Sequence, residues 1–254
     1  MKIMFNTMSL AALTLLSLIP ACTQTPELDE LAGESSADDM GGGKADASAS
    51  GAYTYFEIRQ DQRKCSSPTC GGYFLDRLNS STTKCHDGSY ATACYTPVLD
   101  WSEASLSEAQ QSKLLSTPSI VRGRFAKTNS TTPRPELGRF IVTEAWLLEG
   151  TGVPDGVFVK AHDVGIRCIT TPCPSTLEQA LNSTRSALIG EIDWSSAGLT
   201  DREIEGFQMS LFDPSGIIFA GSRFTVIENG HSVKGRTATA AYHRLSDAPT
   251  TAPE

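Results

Sequence analysis

The chain has 254 residues, of which 39% are hydrophobic and 20% are charged, and its formal net charge is −8 at pH 7. A chain of this length contains one large domain or two small ones. Acidic residues outnumber basic residues by 29 to 21, which leaves no basic surface to suggest nucleic acid, and we expect no nucleic-acid partner.

Residues 1–21 are typical of an export signal. Lys2 precedes a short apolar segment, Met8–Ala21 (MSLAALTLLSLIPA), which is shorter than the roughly 20 residues that span a bilayer. The segment Ile19-Pro20-Ala21-Cys22 resembles a bacterial lipobox, although Pro20 departs from the commonest pattern. The resemblance implies cleavage before Cys22, a lipid on that cysteine that anchors the protein in the membrane, and an extracytoplasmic location in the cell envelope, at the outer membrane or the cell surface. Ordinary cleavage near Ala21, with Cys22 as an unmodified thiol, is the alternative.

Residues 22–51 predict an acidic, flexible tether. After Cys22 this segment contains seven acidic residues, a single lysine (Lys44), a run of three glycines and no aromatic residue. Such a composition buries too little apolar surface to offset the entropy that is lost on ordering. The tether would hold the folded part of the chain away from the membrane.

The rest of the chain predicts two copies of one module, residues 52–150 and 151–246. Leu78-Asn79-Ser80 recurs as Leu181-Asn182-Ser183 at an offset of 103 residues (181 − 78). Asp100-Trp101-Ser102 recurs as Asp193-Trp194-Ser195 at an offset of 93 (193 − 100). The first copy therefore contains ten extra residues (103 − 93), which we assign to a disulfide-closed hairpin at Cys85–Cys94. Residues 247–254 (DAPTTAPE) predict a disordered tail.

Segments rich in β-branched and aromatic residues predict seven strands: Tyr53–Gln60, Ile120–Ala126, Arg139–Leu148, Val157–His162, Leu188–Trp194, Gly216–Ile227 and Arg236–Leu245. Two helices are predicted after the Asp-Trp-Ser repeats, because Ser107–Gln110 and Thr200–Glu203 both have the pattern of a capping box. The predicted fold class is α+β, with two tandem, similar, β-rich modules. Each module would be an antiparallel sheet with one helix, braced by short disulfide loops.

The chain contains seven cysteines. Once Cys22 is assigned to lipid, the other six form three neighbouring pairs: Cys65 with Cys70, Cys85 with Cys94, and Cys168 with Cys173. In an oxidising compartment neighbouring cysteines persist as disulfides, and we interpret all three pairs in this way. The spacing of the two Cys-x₄-Cys pairs is also compatible with a zinc site of four cysteines, whereas thioredoxin-type redox chemistry prefers Cys-x-x-Cys. We expect no metal and no cofactor.

The sequence favours a protein that is not an enzyme. Four histidines (His86, His162, His231 and His243) accompany the Asp-Trp-Ser repeats, but there is no Gly-x-Ser-x-Gly, His-Glu-x-x-His or P-loop pattern. We interpret the repeated tryptophan as a core anchor and its aspartate and serine as turn residues. Three glycosylation sequons, at Asn79, Asn129 and Asn182, fall in Ser/Thr-rich segments, and we interpret them as coincidental.

Several segments point to a family. CSSPTCGGYF, LDRLN, CHDGSYATACY and DWS follow one another from Cys65 to Ser102, and GGKADAS lies in the tether. In these segments the chain resembles an uncharacterised family of secreted, cysteine-containing lipoproteins found mainly in myxobacteria. The resemblance extends to Leu245 and supports the envelope location, but it implies no activity.

The expected function is extracytoplasmic binding of a protein, or less favourably a glycan, by a disulfide-braced ectodomain. The alternative is a protease inhibitor that presents the Cys65–Cys70 or the Cys85–Cys94 loop, since a rigid closed loop binds with little ordering cost. The Cys85–Cys94 segment has a passing likeness to Kazal inhibitors, but its spacing is one residue short. An unrecognised hydrolase is the third and least favoured hypothesis.

Overall fold

The computed structural model describes residues 54–126 and 137–245. Two helices lie in these stretches, α1 (Glu108–Ser116) and α2 (Asp201–Ser210), and neither is long and apolar enough to cross a bilayer. The strands are β1 (Thr54–Gln60), β2 (Tyr73–Arg77), β3 (Thr83–Lys84), β4 (Tyr90–Ala91), β5 (Ala93–Thr96), β6 (Leu99–Asp100), β7 (Ser119–Ala126), β8 (Arg139–Glu149), β9 (Val157–Asp163), β10 (Thr176–Ala180), β11 (Ser186–Ile189), β12 (Glu191–Asp193), β13 (Ile217–Glu228) and β14 (His231–Leu245).

The predicted fold class, two tandem α+β modules, is wrong. The described residues are 48% strand and 11% helical, and one large sheet of 12 strands, mostly antiparallel, runs through both halves of the chain. The prediction failed because it ended each sheet within its own half. In the structure, residues 145–149 of β8 pair antiparallel with residues 241–245 of β14 and join the two halves into one sheet.

The sheet follows the order β11-β10-β9-β13-β14-β8-β7-β1-β2-β5. Two short strands lie off this path and pair in parallel, β6 with β8 and β12 with β14. Because β6 closely follows β5, and β12 closely follows β11, each parallel pair connects one edge of the sheet back to its middle. Each end of the sheet is therefore closed by one parallel pair.

The strand pairings repeat in the two halves. Ile58 pairs with Leu75 in β1–β2, and Ala161 pairs with Glu178 in β9–β10. We call two positions register-equivalent when they make the same strand pairings in the two halves, or when they lie at the same place in loops of equal length between such strands. The β7–β8 and β13–β14 ladders each contain one irregularity, before Gly123 and before Gly221, and the pairing continues in step beyond both.

Both helices begin where the sequence predicts. Ser107 and Thr200 are the N-cap residues, and each forms a complete capping box with the residue three positions later, Gln110 or Glu203. Each helix covers an apolar cluster of its own half. Leu114 of α1 lies in the first cluster, and Phe207 of α2 stacks on Trp194 in the second, with ring centres 5.6 Å apart.

A third apolar cluster takes its side chains from both halves of the chain. Its buried members are Leu78, Ile120, Trp146, Leu181, Ile218, Ala220, Ala240 and Tyr242. Since this cluster is shared, the two halves share a core as well as a sheet.

Two register-equivalent asparagines fasten the halves beside this shared core. Asn79 Nδ2 donates to the carbonyl oxygens of Phe158 (2.7 Å) and Leu181 (3.0 Å), and Asn79 Oδ1 accepts from the Phe158 N–H (2.9 Å). Asn182 makes the reciprocal set, to the Tyr55 carbonyl (2.8 Å), the Leu78 carbonyl (2.9 Å) and the Tyr55 N–H (2.8 Å). Both side-chain amides are occupied in this way, which supports the interpretation that their sequons are coincidental.

Candidate binding surfaces

The cysteines are paired as neighbours, as their spacing predicts: Cys65–Cys70, Cys85–Cys94 and Cys168–Cys173, with Cα–Cα distances of 5.4, 5.4 and 5.5 Å. The four cysteines of the Cys-x₄-Cys loops are thus bonded within their own loops and are not gathered at one site. In residues 54–126 and 137–245, no three His, Cys, Asp or Glu side chains are grouped to hold a metal ion. Cys22, the export signal and the tether lie outside the described residues, as does the predicted C-terminal tail.

The Cys65–Cys70 loop, between β1 and β2, is polar and held by side chains. Arg63 donates to both carboxylate oxygens of Asp61, at 2.9 Å from Nε to Oδ1 and 2.9 Å from Nη2 to Oδ2. These bonds lower the pKa of the Asp61 carboxyl. The Arg63 guanidinium also lies over the Phe74 ring, 5.1 Å from its centre, and the Tyr95 hydroxyl donates to the Pro68 carbonyl at 2.7 Å. The loop is therefore fixed on the sheet by its own charged and aromatic neighbours.

The Cys168–Cys173 loop, between β9 and β10, is apolar at the corresponding positions. The two loops have the same length, so Val164, Ile166 and Ile169 are register-equivalent to Asp61, Arg63 and Ser66. All three apolar side chains are exposed, and Ile169 is 104% exposed.

A fourth apolar side chain extends this region. Phe212, which follows α2, is 60% exposed and lies under the Arg167 guanidinium, 5.9 Å from ring centre to Cζ. We call Val164, Ile166, Ile169 and Phe212 the apolar loop surface.

The Cys85–Cys94 hairpin, predicted as an insertion in the first half, contains the short strand β4, which pairs with β3 just before Cys85. Thr83 is 1% exposed; its hydroxyl accepts from the Arg77 N–H at 2.8 Å and donates to the Thr92 carbonyl at 3.0 Å. The hairpin is thus attached to β2 through a buried threonine.

Three charged side chains replace a hydrophobic group inside the second half. Glu178 and Arg236 are each 1% exposed, and Arg236 donates to Glu178 at 2.7 Å (Nε to Oε2) and to the Gly221 carbonyl. Arg223 donates to the same carboxylate at 2.6 Å. We call these three residues the buried ion triad. The register-equivalent residues of the first half are Leu75, Phe125 and Phe140.

A second charged group lies where the two halves meet. Arg122 donates to Glu144 at 2.6 Å, and Arg244 Nε lies 3.9 Å from the other oxygen of that carboxylate. Lys160 Nζ lies 5.6 Å from the centre of the Trp146 ring. Burial lowers the pKa of the Lys160 ammonium, and the two arginines lower it further while Glu144 opposes them. We call Arg122, Glu144, Lys160 and Arg244 the junction cluster.

The Asp-Trp-Ser repeats form turns. Asp100 Oδ1 accepts from the Ser102 N–H at 3.0 Å, and Asp193 Oδ1 accepts from the Ser195 N–H at 3.0 Å. These bonds lower the pKa of both carboxyls, the side-chain bond to Ser102 contributing most at Asp100 and the backbone bond to Ser195 most at Asp193. The contacts agree with the predicted role of both residues in shaping the turn before each helix.

The four histidines do not gather around these turns in the described part of the chain. His243 pairs with Glu149 at 2.9 Å on the β8–β14 ladder, and His86 packs beside Gly138. His162 pairs with Leu177 in β9–β10, and His231 lies at the tip of the β13–β14 hairpin.

Residues 54–245 match the model of the family described as Domain of unknown function (DUF6748). The chain belongs to this family. No curated protein and no solved structure matches the chain. The expected membership of an uncharacterised family is thus confirmed for the domain, whereas lipidation and a myxobacterial source stay predictions.

Sequence reasoning missed the charged groups of this DUF6748 domain. Glu178 and Arg236 interrupt the alternation of apolar residues in β10 and β14. This interruption is visible in the sequence, but by itself it does not indicate that the two residues meet. The junction cluster comes from the four strands β7, β8, β9 and β14. The pairings of β8 with β7 and β14, of β14 with β13, and of β13 with β9 bring these strands together.

Proposed function

We propose that this protein is a lipid-anchored, extracytoplasmic binding protein that docks a protein partner through the apolar loop surface. The export signal and the lipobox that ends at Cys22 support the anchor. One observation carries the binding proposal: Val164, Ile166 and Ile169 are exposed at positions where the first half has Asp61, Arg63 and Ser66.

The two disulfide loops differ in polarity although they have the same length and the same place in the fold. A loop of the same length, closed by the same disulfide spacing, is polar in the first half. The apolar residues of the second loop are therefore not required for folding, and their exposure to water is unfavourable unless a partner covers them. The disulfide limits the conformational entropy that the loop loses on binding. These are the properties of an anchor in a protein–protein interface.

The binding test uses matched substitutions in the two loops. Wild-type, Ile169→Asp and Ser66→Asp proteins are used to isolate partners from the envelope fraction of the source cells, and each recovered protein is then purified and titrated. We expect a partner whose affinity falls at least tenfold with Ile169→Asp, because burying an isoleucine contributes about 1.5–3 kcal/mol. Ser66→Asp should change the affinity less than twofold. Equal affinities for all three proteins would refute the apolar loop surface as the docking site.

The same proteins also separate the other hypotheses. If the wild-type protein bound to protein-free liposomes and Ile169→Asp weakened that binding equally, the surface would bind a bilayer and not a protein partner. Inhibition of a protease that Ile169→Asp leaves unchanged would favour an inhibitor acting through another loop.

The anchor is tested by the intact mass of the protein extracted from its native membranes. We expect a chain that begins at Cys22 with covalent lipid, and alkylation of the other six cysteines only after reduction. A mass that corresponds to an unmodified Cys22 would disprove the anchor while leaving the binding proposal intact.

A further inference from the structure

We propose that two copies of this chain pair through the outer edge of β13, residues 222–228, and so form a dimer with one continuous sheet. The occupant of this edge is thus a second copy of the same chain. The edge shares no residue with the apolar loop surface, so self-pairing and the proposed docking function succeed or fail separately.

The outer edge of β13 is open over its last seven residues. β9 pairs with β13 only from Ile217 to Gly221, and no other backbone group among the residues that the structure describes bonds to the edge beyond Gly221. The outer edge of β14, the other strand of the hairpin, is covered instead. There β12 pairs with residues 235–237, and the Gly190 N–H donates to the Lys234 carbonyl at 2.9 Å. One edge of the hairpin is therefore covered where the other is open.

Three residues present both backbone groups to this open edge. Asn229 and Gly230 form the turn of the β13–β14 hairpin with positive φ angles of 51° and 78°, and Glu228 pairs with His231 across it. In a two-residue hairpin that pair is hydrogen-bonded, and such pairs then alternate with pairs whose N–H and C=O groups point outward. The outward residues of β13 are therefore Arg223, Thr225 and Ile227.

The outward direction at Thr225 has independent support. Thr225 pairs with Lys234, whose carbonyl points away from β13 to reach Gly190. The two residues of a non-hydrogen-bonded pair both direct their backbone groups away from the partner strand, so those of Thr225 point away from β14. Thr225 is exposed and Ile227 is 75% exposed, so solvent reaches this edge.

The centre of the edge lacks the features by which proteins keep open strands from pairing, which include charged residues, proline and bulges. Residues 224–227 are Phe-Thr-Val-Ile, and the ladder with β14 is regular beyond Gly221. Charges flank this segment at Glu228 and at Arg223, whose side chain turns inward to Glu178. Aromatic and β-branched residues are favourable in strands, so an exposed edge of this composition is a template for another strand.

A second copy of β13 complements this edge about a two-fold axis at Thr225. An antiparallel pair centred there places Thr225 opposite the same residue of the second copy, and Arg223 opposite Ile227. All three outward residues then exchange hydrogen bonds in a single register. The interface would be isologous, as in the commonest class of homo-oligomer.

The side chains favour the same register. Phe224 lies opposite Val226 of the second copy on both sides of the axis, and pairs of aromatic and β-branched residues stabilise an antiparallel ladder. Glu228 lies opposite Ser222, so neither charged residue of the edge faces a like charge. The register that uses every outward backbone group is therefore also compatible in its side chains.

The test is disulfide cross-linking of Thr225→Cys, made in the full chain and studied in the native envelope. In the dimer the two Cα atoms at position 225 would lie about 5.5 Å apart, within the range that a disulfide bridges. With copper phenanthroline and oxygen as the oxidant, we expect a reducible homodimer in which mass spectrometry finds position 225 joined to itself. Lys234→Cys is the matched control, because Lys234 is also exposed and pairs with Thr225 but lies on the covered edge. It should give no more dimer than wild type.

A second variant tests the hydrogen bonds between the copies. Ile227→Pro, added to Thr225→Cys, removes an outward N–H from each copy but none that bonds to β14, and proline is tolerated at strand edges. We expect the yield of dimer to fall about tenfold, because two hydrogen bonds of the pair lose their donors. The comparison of the two cysteine variants decides the proposal even if the proline lowers stability.

Three results would overturn self-pairing through β13. These are no dimer from Thr225→Cys, equal yields from Thr225→Cys and Lys234→Cys, and linkage of Thr225→Cys to a different protein in place of itself. The last result would show that the edge takes a strand of another chain.

Discussion

At the scale of single residues, Asn79 and Asn182 are the side chains on which the joining of the two halves depends most directly. Both have positive φ angles, 56° and 58°, a conformation that asparagine tolerates better than most residues. We expect Asn79→Ala to lower the free energy of unfolding by about 3 kcal/mol. Roughly 1–2 kcal/mol arises from the left-handed conformation and the rest from backbone groups that lose their partner. Urea denaturation measures this difference.

Asn229 offers a matched control for that substitution. It also has a positive φ, 51°, but it lies in the exposed β13–β14 turn, where its amide makes one long hydrogen bond, to Thr171 at 3.4 Å, among the residues that the structure describes. Asn229→Ala should therefore lose only the conformational part, about 1 kcal/mol. Similar losses at positions 79 and 229 would show that the hydrogen bonds between the halves contribute little.

At the scale of elements, the buried ion triad can be compared with the apolar residues that occupy the register-equivalent positions of the first half. Glu178→Ala leaves the buried Arg236 and the partly buried Arg223 without their carboxylate, and we expect a loss of about 3–5 kcal/mol in the free energy of unfolding. The triple variant Glu178→Leu, Arg223→Phe, Arg236→Phe copies Leu75, Phe125 and Phe140 of the first half. It should be as stable as wild type or more stable by about 1–4 kcal/mol, because desolvation of the charges is avoided.

Thermal and urea unfolding of the single and triple variants decide between two roles of the triad. If the triple variant were as unstable as Glu178→Ala, the core of the second half would be unable to pack the leucine and the two phenylalanines that the first half contains. A stable triple variant would show that stability does not explain the triad.

The sequence predicted individual elements well where the evidence is local. Six of the seven predicted strands are present as single strands, and Leu188–Trp194 is split by Gly190 into β11 and β12. Both capping boxes are confirmed because each depends on residues only three positions apart. The short strands β2, β5 and β10 were missed, since segments of four or five residues carry too little periodicity to identify.

At the scale of the whole molecule, the sequence could not predict which strand edges meet. A periodic pattern indicates that β8 and β14 are strands, but it contains no information that they pair with each other. The same holds for the sites: disulfides between neighbouring cysteines were predictable, whereas the junction cluster depends on pairings over roughly a hundred residues. The predicted modules were wrong for this reason, although most of their strands were right.

The pairing of β8 with β14 has a direct consequence for folding. Because the halves share one sheet and one apolar cluster, we expect calorimetry to show a single unfolding transition with equal calorimetric and van't Hoff enthalpies. A fragment of residues 52–150 would expose the edge of β8 at residues 145–149 together with Trp146 of the shared cluster. Open edges of this kind pair with other chains. Sedimentation equilibrium and circular dichroism should therefore find the fragment either unfolded or self-associated through β8, and a folded monomer would show that the first half is an independent unit after all.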